Sequence, residues 1–247
     1  MNKFFNSSNL NHSEVKEPDE IYDILKEALS RVGGSALAFS GGIDSTLLMH
    51  VSGYSLNPYT VHAGITRDYE NSTVASKMLG FGVNFIDCDI KDVKEASDLV
   101  REIDPEIPLQ DLGYETVLMI ILNRAEEKYI VTGQGADELF YGYKKYFSND
   151  HDNSADLEKL FTITLPREKK MAANMGKTII TPYLDPEIIK ICSAMKRERF
   201  IEGNENKIVL REVARIAGLP DQLCNTRKKA AQYGSGIQKI IRSLYSS

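Results

Sequence analysis

The sequence predicts an α/β protein in which a mostly parallel sheet, covered by helices on both faces, is followed by a helical C-terminal part. Two patterns support this fold class. Through the first 132 residues, short apolar segments alternate with segments whose apolar residues recur at helical spacing. After about residue 133, only the helical spacing continues. Strands that alternate with helices in this way form parallel sheets, because each helix returns the chain to the starting edge.

The α/β core is expected between about residues 18 and 148, after a polar lead-in at residues 1–17. Pro18 begins a helix that ends at Gly33-Gly34. The expected strands are 35–39, 58–63, 82–87 and 128–132, and the expected helices between them are 44–51, 70–79, 91–103 and 110–127. Pro105 and Pro108 separate the last two of these helices.

The helical part, about residues 149–247, is expected to contain no further strand. Its predicted helices are 154–164, 166–175, 185–195, 206–217 and 236–244. No internal repeat or low-complexity tract divides the chain, so we expect residues 18–247 to form one domain.

The composition is that of an ordinary globular protein, with 247 residues, 42% hydrophobic and 26% charged. It excludes collagen-like, disordered and disulfide-scaffold classes. The longest apolar run, 117–122, is far shorter than the roughly 20 residues of a membrane span. The three cysteines are scattered, and the N-terminus lacks a basic region followed by an apolar one. We therefore expect a cytoplasmic protein with reduced thiols and no membrane partner.

Charge is distributed unevenly along the chain. Residues 207–242 contain eight basic and two acidic residues, a local charge of +6, so the net charge of −5 leaves −11 elsewhere. A solvated helical face and an anion-binding surface both fit this pattern. A basic segment on an acidic chain favours a local anionic ligand over long nucleic acid.

The first functional motif follows the expected strand 35–39 and is Ser40-Gly41-Gly42-Ile43-Asp44-Ser45. Glycines allow close backbone approach, and a helix N-terminus attracts phosphate. The Ser40 and Ser45 hydroxyls add donors. Asp44 would repel phosphate directly, so it fits a divalent cation held between its carboxylate and a phosphate. The alternative is a plain glycine turn in which Asp44 caps the helix.

The second motif follows the last expected strand and runs from Thr132 through Gly133, Gln134 and Gly135 to Asp137. It should lie at the same carboxyl edge of the sheet as the first motif, where open α/β sheets bind ligands. Asp137 is therefore a candidate second carboxylate for the same cation. The alternative is an acid that merely favours a helix N-terminus.

Five aromatic residues follow this motif, and we expect them to pack a helix against the core or, in part, to line a substrate pocket. They are Phe140, Tyr141, Tyr143, Tyr146 and Phe147.

Together the two motifs resemble the synthetase domain of asparagine synthetases and β-lactam synthetases, and the first resembles the PP-loop of ATP pyrophosphatases. Segments 165–171, 181–185, 207–211 and 219–229 agree, so the resemblance covers about residues 20–240. It implies an adenine-nucleotide α-hydrolase-like (PP-loop) fold and an AMP-forming amide ligase that uses ATP and Mg²⁺. The implied substrates are a small carboxylate, such as aspartate or a related amino acid, and ammonia or another amine.

The resemblance also implies roles for individual residues. Asp44 and Asp137 would hold the metal. Lys207, with Arg227 and Lys229, would stabilise the leaving pyrophosphate, and Gln134 would lie near the acyl group. The residues expected to bind ATP and pyrophosphate are Ala38, Ser40, Gly41, Gly42, Asp44, Ser45, Ala63, Thr132 and Gly133.

Two departures from the family pattern concern the nitrogen donor. Gln134 stands where asparagine-forming members typically have Glu, and a glutamine cannot accept a proton at neutral pH. Asn2 follows Met1, and no cysteine precedes Cys88, so the chain is not expected to hydrolyse glutamine itself. A separate glutaminase subunit and a second copy of the chain stay open as partners.

Two other functions fit parts of the pattern. A PP-loop enzyme that modifies tRNA would use the basic segment, but the chain has no paired cysteines for thiolation and no added RNA-binding domain. A non-catalytic nucleotide-binding subunit would explain Gln134, but it has less need of Asp44, Asp137 and Lys207 together.

Overall fold

A five-stranded, wholly parallel sheet forms the centre of the protein. The computed structural model describes residues 17–148, 151–226 and 234–245. The strands are β1 (Ala36–Ala38), β2 (Asn57–His62), β3 (Asn84–Asp87), β4 (Tyr129–Val131) and β5 (Thr178–Ile180). Their order across the sheet is β3-β2-β1-β4-β5, and Leu37 of β1 lies between Pro58 and Val131 in register. The predicted α/β class is confirmed.

Helices cover both faces of this sheet. In chain order they are α1 (Glu17–Ser30), α2 (Ile43–Val51), α3 (Arg67–Leu79), α4 (Ile90–Ile103), α5 (Leu109–Arg124), α6 (Ala136–Leu139), α7 (Ser154–Lys159), α8 (Leu165–Asn174), α9 (Pro186–Ala194), α10 (Ile208–Ile216), α11 (Asp221–Cys224) and α12 (Ile237–Tyr245). A π-helical turn, Leu160–Thr164, joins α7 to α8. Short 3₁₀ turns lie at Lys144–Phe147, Pro182–Leu184 and Arg197–Arg199.

Two hydrophobic cores lie on opposite faces of the sheet. One joins α1, α2, α9 and α10, and the other joins α4, α5, α8 and α12. α5 is buried along most of its length, with Asp111 and Glu115 among its buried residues, and its sequence therefore shows no amphipathic pattern. None of the described helices combines the length and apolar character needed to cross a bilayer.

Local sequence explains where several elements begin and end. A capping box between Asp89 and Asp92 begins α4, with each side chain accepting the other residue's backbone N–H. The Thr66 hydroxyl caps α3, and Gly80 ends that helix in the left-handed conformation.

The expectation that strands end near residue 133 is wrong. Thr178–Ile180 adds β5 to the sheet, with Ile179 opposite Ile130 of β4. The segment is too short to show a strand pattern, and the exposed edge of β4 supplies its pairing. The sheet therefore extends beyond the expected 18–148 core.

Other boundaries also differ from those expected. The predicted helices 154–164 and 166–175 form one nearly continuous helix through the π-turn. The short helices α6 and α11 were not expected. The lead-in expected at residues 1–17 lies outside the described residues except for Glu17, which is the first residue of α1.

Candidate active site

The first functional motif, residues 40–45, joins β1 to α2 in a tight loop against α3. Gly41 has a φ of +65°, and an added Cβ would lie 2.3 Å from the Asn71 carbonyl carbon and 2.4 Å from the Ser72 nitrogen. No residue with a side chain fits there without moving α3. The loop thereby exposes the N-terminus of α2 at the carboxyl edge of the sheet.

Ser40 and Ser45 of this loop contact each other. The Ser40 backbone N–H donates to the Ser45 Oγ at 3.2 Å, and the two hydroxyls are 3.4 Å apart. Gly42 is the N-cap of α2, with no side chain capping it, so Asp44 is not the helix cap. This arrangement leaves the carboxylate of Asp44 for another role.

Asp44 and Asp137 share the ammonium group of Lys207. Lys207 Nζ lies 2.6 Å from Asp44 Oδ1 and 2.6 Å from Asp137 Oδ1. The side chains of Asp44 and Lys207 are almost fully buried, whereas 24% of the Asp137 side chain is exposed. The Tyr183 hydroxyl donates to the Asp44 backbone carbonyl at 2.8 Å and fixes this part of α2.

The backbone around Lys207 is shaped to bring its ammonium to this point. Lys207 has a φ of +56°, a left-handed conformation that costs a residue with a side chain about 1–2 kcal/mol. The Asn206 side chain donates to the Gly142 carbonyl at 2.6 Å and ties the two segments together. Strain of this kind at a charged cluster is typical of a functional position.

The two carboxylates fit a divalent metal that is shared with a phosphate ligand. Their Oδ1 atoms lie at most twice 2.6 Å apart, because both contact the same Nζ atom. Mg²⁺ is usually bound by one or two carboxylates at about 2.1 Å, with water and substrate phosphates completing its shell. Within the described ranges, no three His, Cys, Asp or Glu residues come together as a metal site, so a metal held by these two aspartates would need its further ligands from water and phosphate.

A cavity of about 140 Å³ runs from this cluster along the inner face of α5. Its apolar wall includes Val61, Val117 and Ile121. Its polar lining comes from both motifs, from residues that follow the second motif, and from α3, α5 and α8. It includes Ser40, Asp44, Ser45, Asp68, Tyr114, Thr132, Gln134, Asp137, Glu138, Tyr143 and Glu168. The cavity has space for a small organic acid beside the loop at residues 40–45.

Two buried glutamates in the cavity wall are electrostatically perturbed. Burial, helped by the charge of Asp137, raises the pKa of Glu138 to about 7, although the Tyr143 hydroxyl donates to Glu138 Oε1 at 2.6 Å and partly offsets the shift. Burial and the charge of Glu115 raise the pKa of Glu168 well above its ordinary value. Glu168 Oε2 has no hydrogen-bond partner. An unpartnered buried carboxyl in a cavity wall is suited to contact a ligand.

A buried ion network supports the same wall from behind. Arg167 donates to Glu115 at 2.7 Å, to Asp104 at 2.9 Å and to the Tyr114 hydroxyl at 3.1 Å. Because Arg167 precedes Glu168 on α8, the network fixes α8 against α5. It also orients Tyr114, which lines the cavity.

The structure brings most of the expected site residues together. Ala38, Ser40, Asp44, Ser45, Thr132, Gly133, Gln134 and Asp137 all line the cavity. Gly41 and Gly42 form the loop beside it, and Gly133 packs on Asp44, since an added Cβ would be 3.3 Å from the Asp44 Cβ. Ala63 instead bonds through its backbone to Ser235, and Val61 takes the place beside the cavity. Arg227 and Lys229 lie outside the described residues and stay predictions.

Sequence reasoning missed the acidic part of the cavity. Neither Glu138 nor Glu168 was a candidate, although Glu168 lies in one of the segments that carry the family resemblance. Among the aromatic residues, Tyr143 lines the cavity, whereas Phe140 and Tyr146 are buried. The short helix α6 ends at Leu139, before the first of these five aromatic residues.

Comparison with known proteins identifies the family. The family model described as asparagine synthase matches residues 20–160 and 153–245. A Methanocaldococcus jannaschii protein named as a glutamine-hydrolysing asparagine synthetase is 24% identical over 291 residues, covering 96% of this chain and 54% of its own. The Saccharomyces cerevisiae asparagine synthetase domain-containing protein YML096W is 29% identical over 118 residues, 46% of this chain and 22% of its own. The chain thus spans about half the length of the first relative.

Two solved structures show a weaker likeness. A Methanocaldococcus jannaschii protein described as a tRNA methyltransferase subunit has a TM-score of 0.36 and 20% identity, over 77% of this chain and 91% of its own. NH₃-dependent NAD synthetase from Campylobacter jejuni has a TM-score of 0.35 and 14% identity, over 93% of each chain. Likeness at this level supports no statement about function. The family model, however, matches the chain from residue 20 to residue 245, and the protein belongs to the asparagine synthase family.

Proposed function

We propose that this protein adenylates a small carboxylic acid with ATP and transfers the acyl group to an amine, releasing AMP and pyrophosphate. The observation that carries the proposal is the Asp44–Lys207–Asp137 cluster, which lies between the phosphate-binding loop and a cavity large enough for a small acid. Such a cluster supplies opposite charges at the point where a triphosphate would be cleaved.

In the first step, the substrate carboxylate attacks the α-phosphorus of ATP. The bond from this phosphorus to the bridging oxygen breaks, and pyrophosphate leaves. The loop at residues 40–45 binds phosphate oxygens through backbone N–H groups and the Ser40 and Ser45 hydroxyls. Lys207 neutralises charge that develops on the leaving group. Mg²⁺ held by Asp44 and Asp137 would supply further charge neutralisation.

In the second step, the amine nitrogen attacks the acyl carbon. The bond from this carbon to the AMP oxygen breaks, and the nitrogen loses a proton. Gln134 lines the cavity but cannot accept that proton, so it orients substrate through hydrogen bonds. Glu138 also lines the cavity, and because its pKa is raised to about 7 it is partly ionised at neutral pH, so Glu138 is the proton acceptor that we propose.

The proposed acid is aspartate or a related amino acid, and the proposed nitrogen source is ammonia or another amine. Ammonia would be supplied free or by a separate glutaminase. The small volume of the cavity supports an amino-acid-sized substrate and argues against a macromolecule entering it.

The test is a screen of amino acids and small organic acids, each with ATP, Mg²⁺, and either ammonia or a primary amine. We expect AMP and pyrophosphate in equal amounts with one acid, and transfer of one ¹⁸O from labelled acid to AMP. Asp44→Asn should reduce AMP formation at least about 10²-fold, whereas Asp23→Asn, at an exposed position of α1, should leave it unchanged. ADP as the product, or no ATP cleavage with any acid, would overturn the proposal.

A further inference from the structure

We propose that Lys207 is an internal counter-ion of the metal site, so that the protein takes up a divalent cation only together with nucleotide. This inference rests on the proposed function, because it concerns the same two aspartates. It adds a binding order: free metal is excluded, and the metal–nucleotide complex is the species that enters.

The first argument is geometric. The Lys207 ammonium already bridges Asp44 Oδ1 and Asp137 Oδ1 at 2.6 Å each. A metal ion bound by the same two carboxylates would lie about 2.1 Å from each and therefore close to this ammonium. A divalent cation and an ammonium group repel each other strongly in a site from which water is largely excluded.

The second argument concerns charge. Two carboxylates attract a dication, but the ammonium reduces their combined charge to −1. A free cation must give up part of its hydration shell for this reduced attraction, and Mg²⁺ loses water reluctantly. A nucleotide changes the balance, because its phosphates offer the metal further oxygen ligands and offer Lys207 a new anionic partner.

The third argument is that the position of the ammonium is built into the backbone. Lys207 holds a left-handed conformation, and Asn206 beside it is bonded to the Gly142 carbonyl at 2.6 Å. The stem of Lys207 packs where Gly142 has no side chain. The ammonium group can move while its backbone stays fixed, so it can return to the aspartates when the ligand leaves.

Exposure gives the direction from which ligands arrive. Asp44 and Lys207 have 1% and 5% of their side chains exposed, whereas Asp137 has 24%. A metal–nucleotide complex would therefore meet Asp137 first, and Lys207 would then transfer from the carboxylates to the phosphates. Because such coupling is reciprocal, the metal must raise nucleotide affinity by the same factor as nucleotide raises metal affinity.

The direct test measures Mn²⁺ binding by electron paramagnetic resonance, without nucleotide and with α,β-methylene-ATP. We expect the wild-type protein to bind Mn²⁺ at least 10-fold more tightly when the analogue is present. Lys207→Met should bind free Mn²⁺ at least 10-fold more tightly than wild type. Lys207→Arg, which keeps the cation, and Lys144→Met, which removes an exposed lysine, should both exclude free Mn²⁺ as wild type does.

A second measurement uses the wild-type protein and does not depend on the folding of a variant. The ¹⁵Nζ resonance of Lys207 should stay unchanged when Mg²⁺ is added alone and should shift when Mg²⁺ and the analogue are added together. A shift with Mg²⁺ alone, or equal free-Mn²⁺ affinities in wild type and Lys207→Met, would overturn the counter-ion role. If the proposed function is wrong, the wild-type protein would bind no analogue. The free-Mn²⁺ affinities of wild type and Lys207→Met, measured without nucleotide, would still test the counter-ion role.

Discussion

Replacing Gly142 by alanine should lower the activity of this site strongly while lowering the free energy of unfolding only slightly. An added Cβ would lie 2.0 Å from Asp137 Oδ1 and 2.3 Å from Lys207 Cε. Ordinary contacts between such atoms are about 3.3–4 Å, so Asp137 and Lys207 must each move by more than about 1 Å. Both clashing atoms are the far ends of flexible side chains. The cost to the free energy of unfolding should therefore be only about 1 kcal/mol, at the low end for overpacking.

The cost to function should be much larger, because a shift of about 1 Å in catalytic groups lowers rates about 100-fold. We expect the ATP–pyrophosphate exchange rate of Gly142→Ala to fall by about this factor. Urea unfolding measures the stability cost. Gly82→Ala is the matched control, since its Cβ would have no heavy atom within 4 Å. If Gly142→Ala exchanged pyrophosphate at the wild-type rate, the assignment of this cluster to phosphate chemistry would be refuted.

Three further predictions concern side chains around the cavity. The pKa of Glu168 is raised in the folded protein, so wild type should lose stability relative to Glu168→Gln as the pH rises above 4.5. The urea midpoints of both proteins, measured against pH, check this, and parallel curves would contradict it. Arg167→Met leaves Glu115 buried without its partner and should lower the free energy of unfolding by about 3–5 kcal/mol, measured by urea titration; a loss under about 1 kcal/mol would show that the network contributes little. Tyr183→Phe removes the hydrogen bond to the Asp44 carbonyl and should cost about 1–3 kcal/mol, measured by thermal unfolding, and an unchanged midpoint would mean that the carbonyl finds another donor.

The sequence was sufficient to predict the fold class and nearly every long element. Helices with a strong apolar pattern, such as α4, begin and end within one or two residues of the expected positions. β5 could not be predicted, because its pairing depends on an open edge of β4 and not on any pattern in residues 178–180. The π-turn at Leu160–Thr164 has no sequence signal that we can identify.

The candidate site was only partly predictable for a related reason. Asp44 and Asp137 each follow a strand at the same sheet edge, so local order alone brings them together. Lys207 became a candidate only through the family resemblance. Glu168 enters the cavity because α8 packs on α5 around Arg167, and such a tertiary contact cannot be seen in spacing along the chain.

The helical part of the chain contributes directly to the candidate active site and does not only cover the sheet. It contributes Lys207, the hydroxyl of Tyr183 that fixes Asp44, and the unpartnered carboxyl of Glu168. Lys207 lies 163 positions from Asp44, so their contact forms only when α10 packs beside α1 and α2. Pairing of β5 with β4 places the Pro182–Leu184 turn, and therefore Tyr183, next to the loop. The Asp44–Lys207–Asp137 cluster therefore forms only when both parts of the chain are folded. Any change that displaces α10 should separate Lys207 from the buried Asp44, and should lower both ligand affinity and the free energy of unfolding.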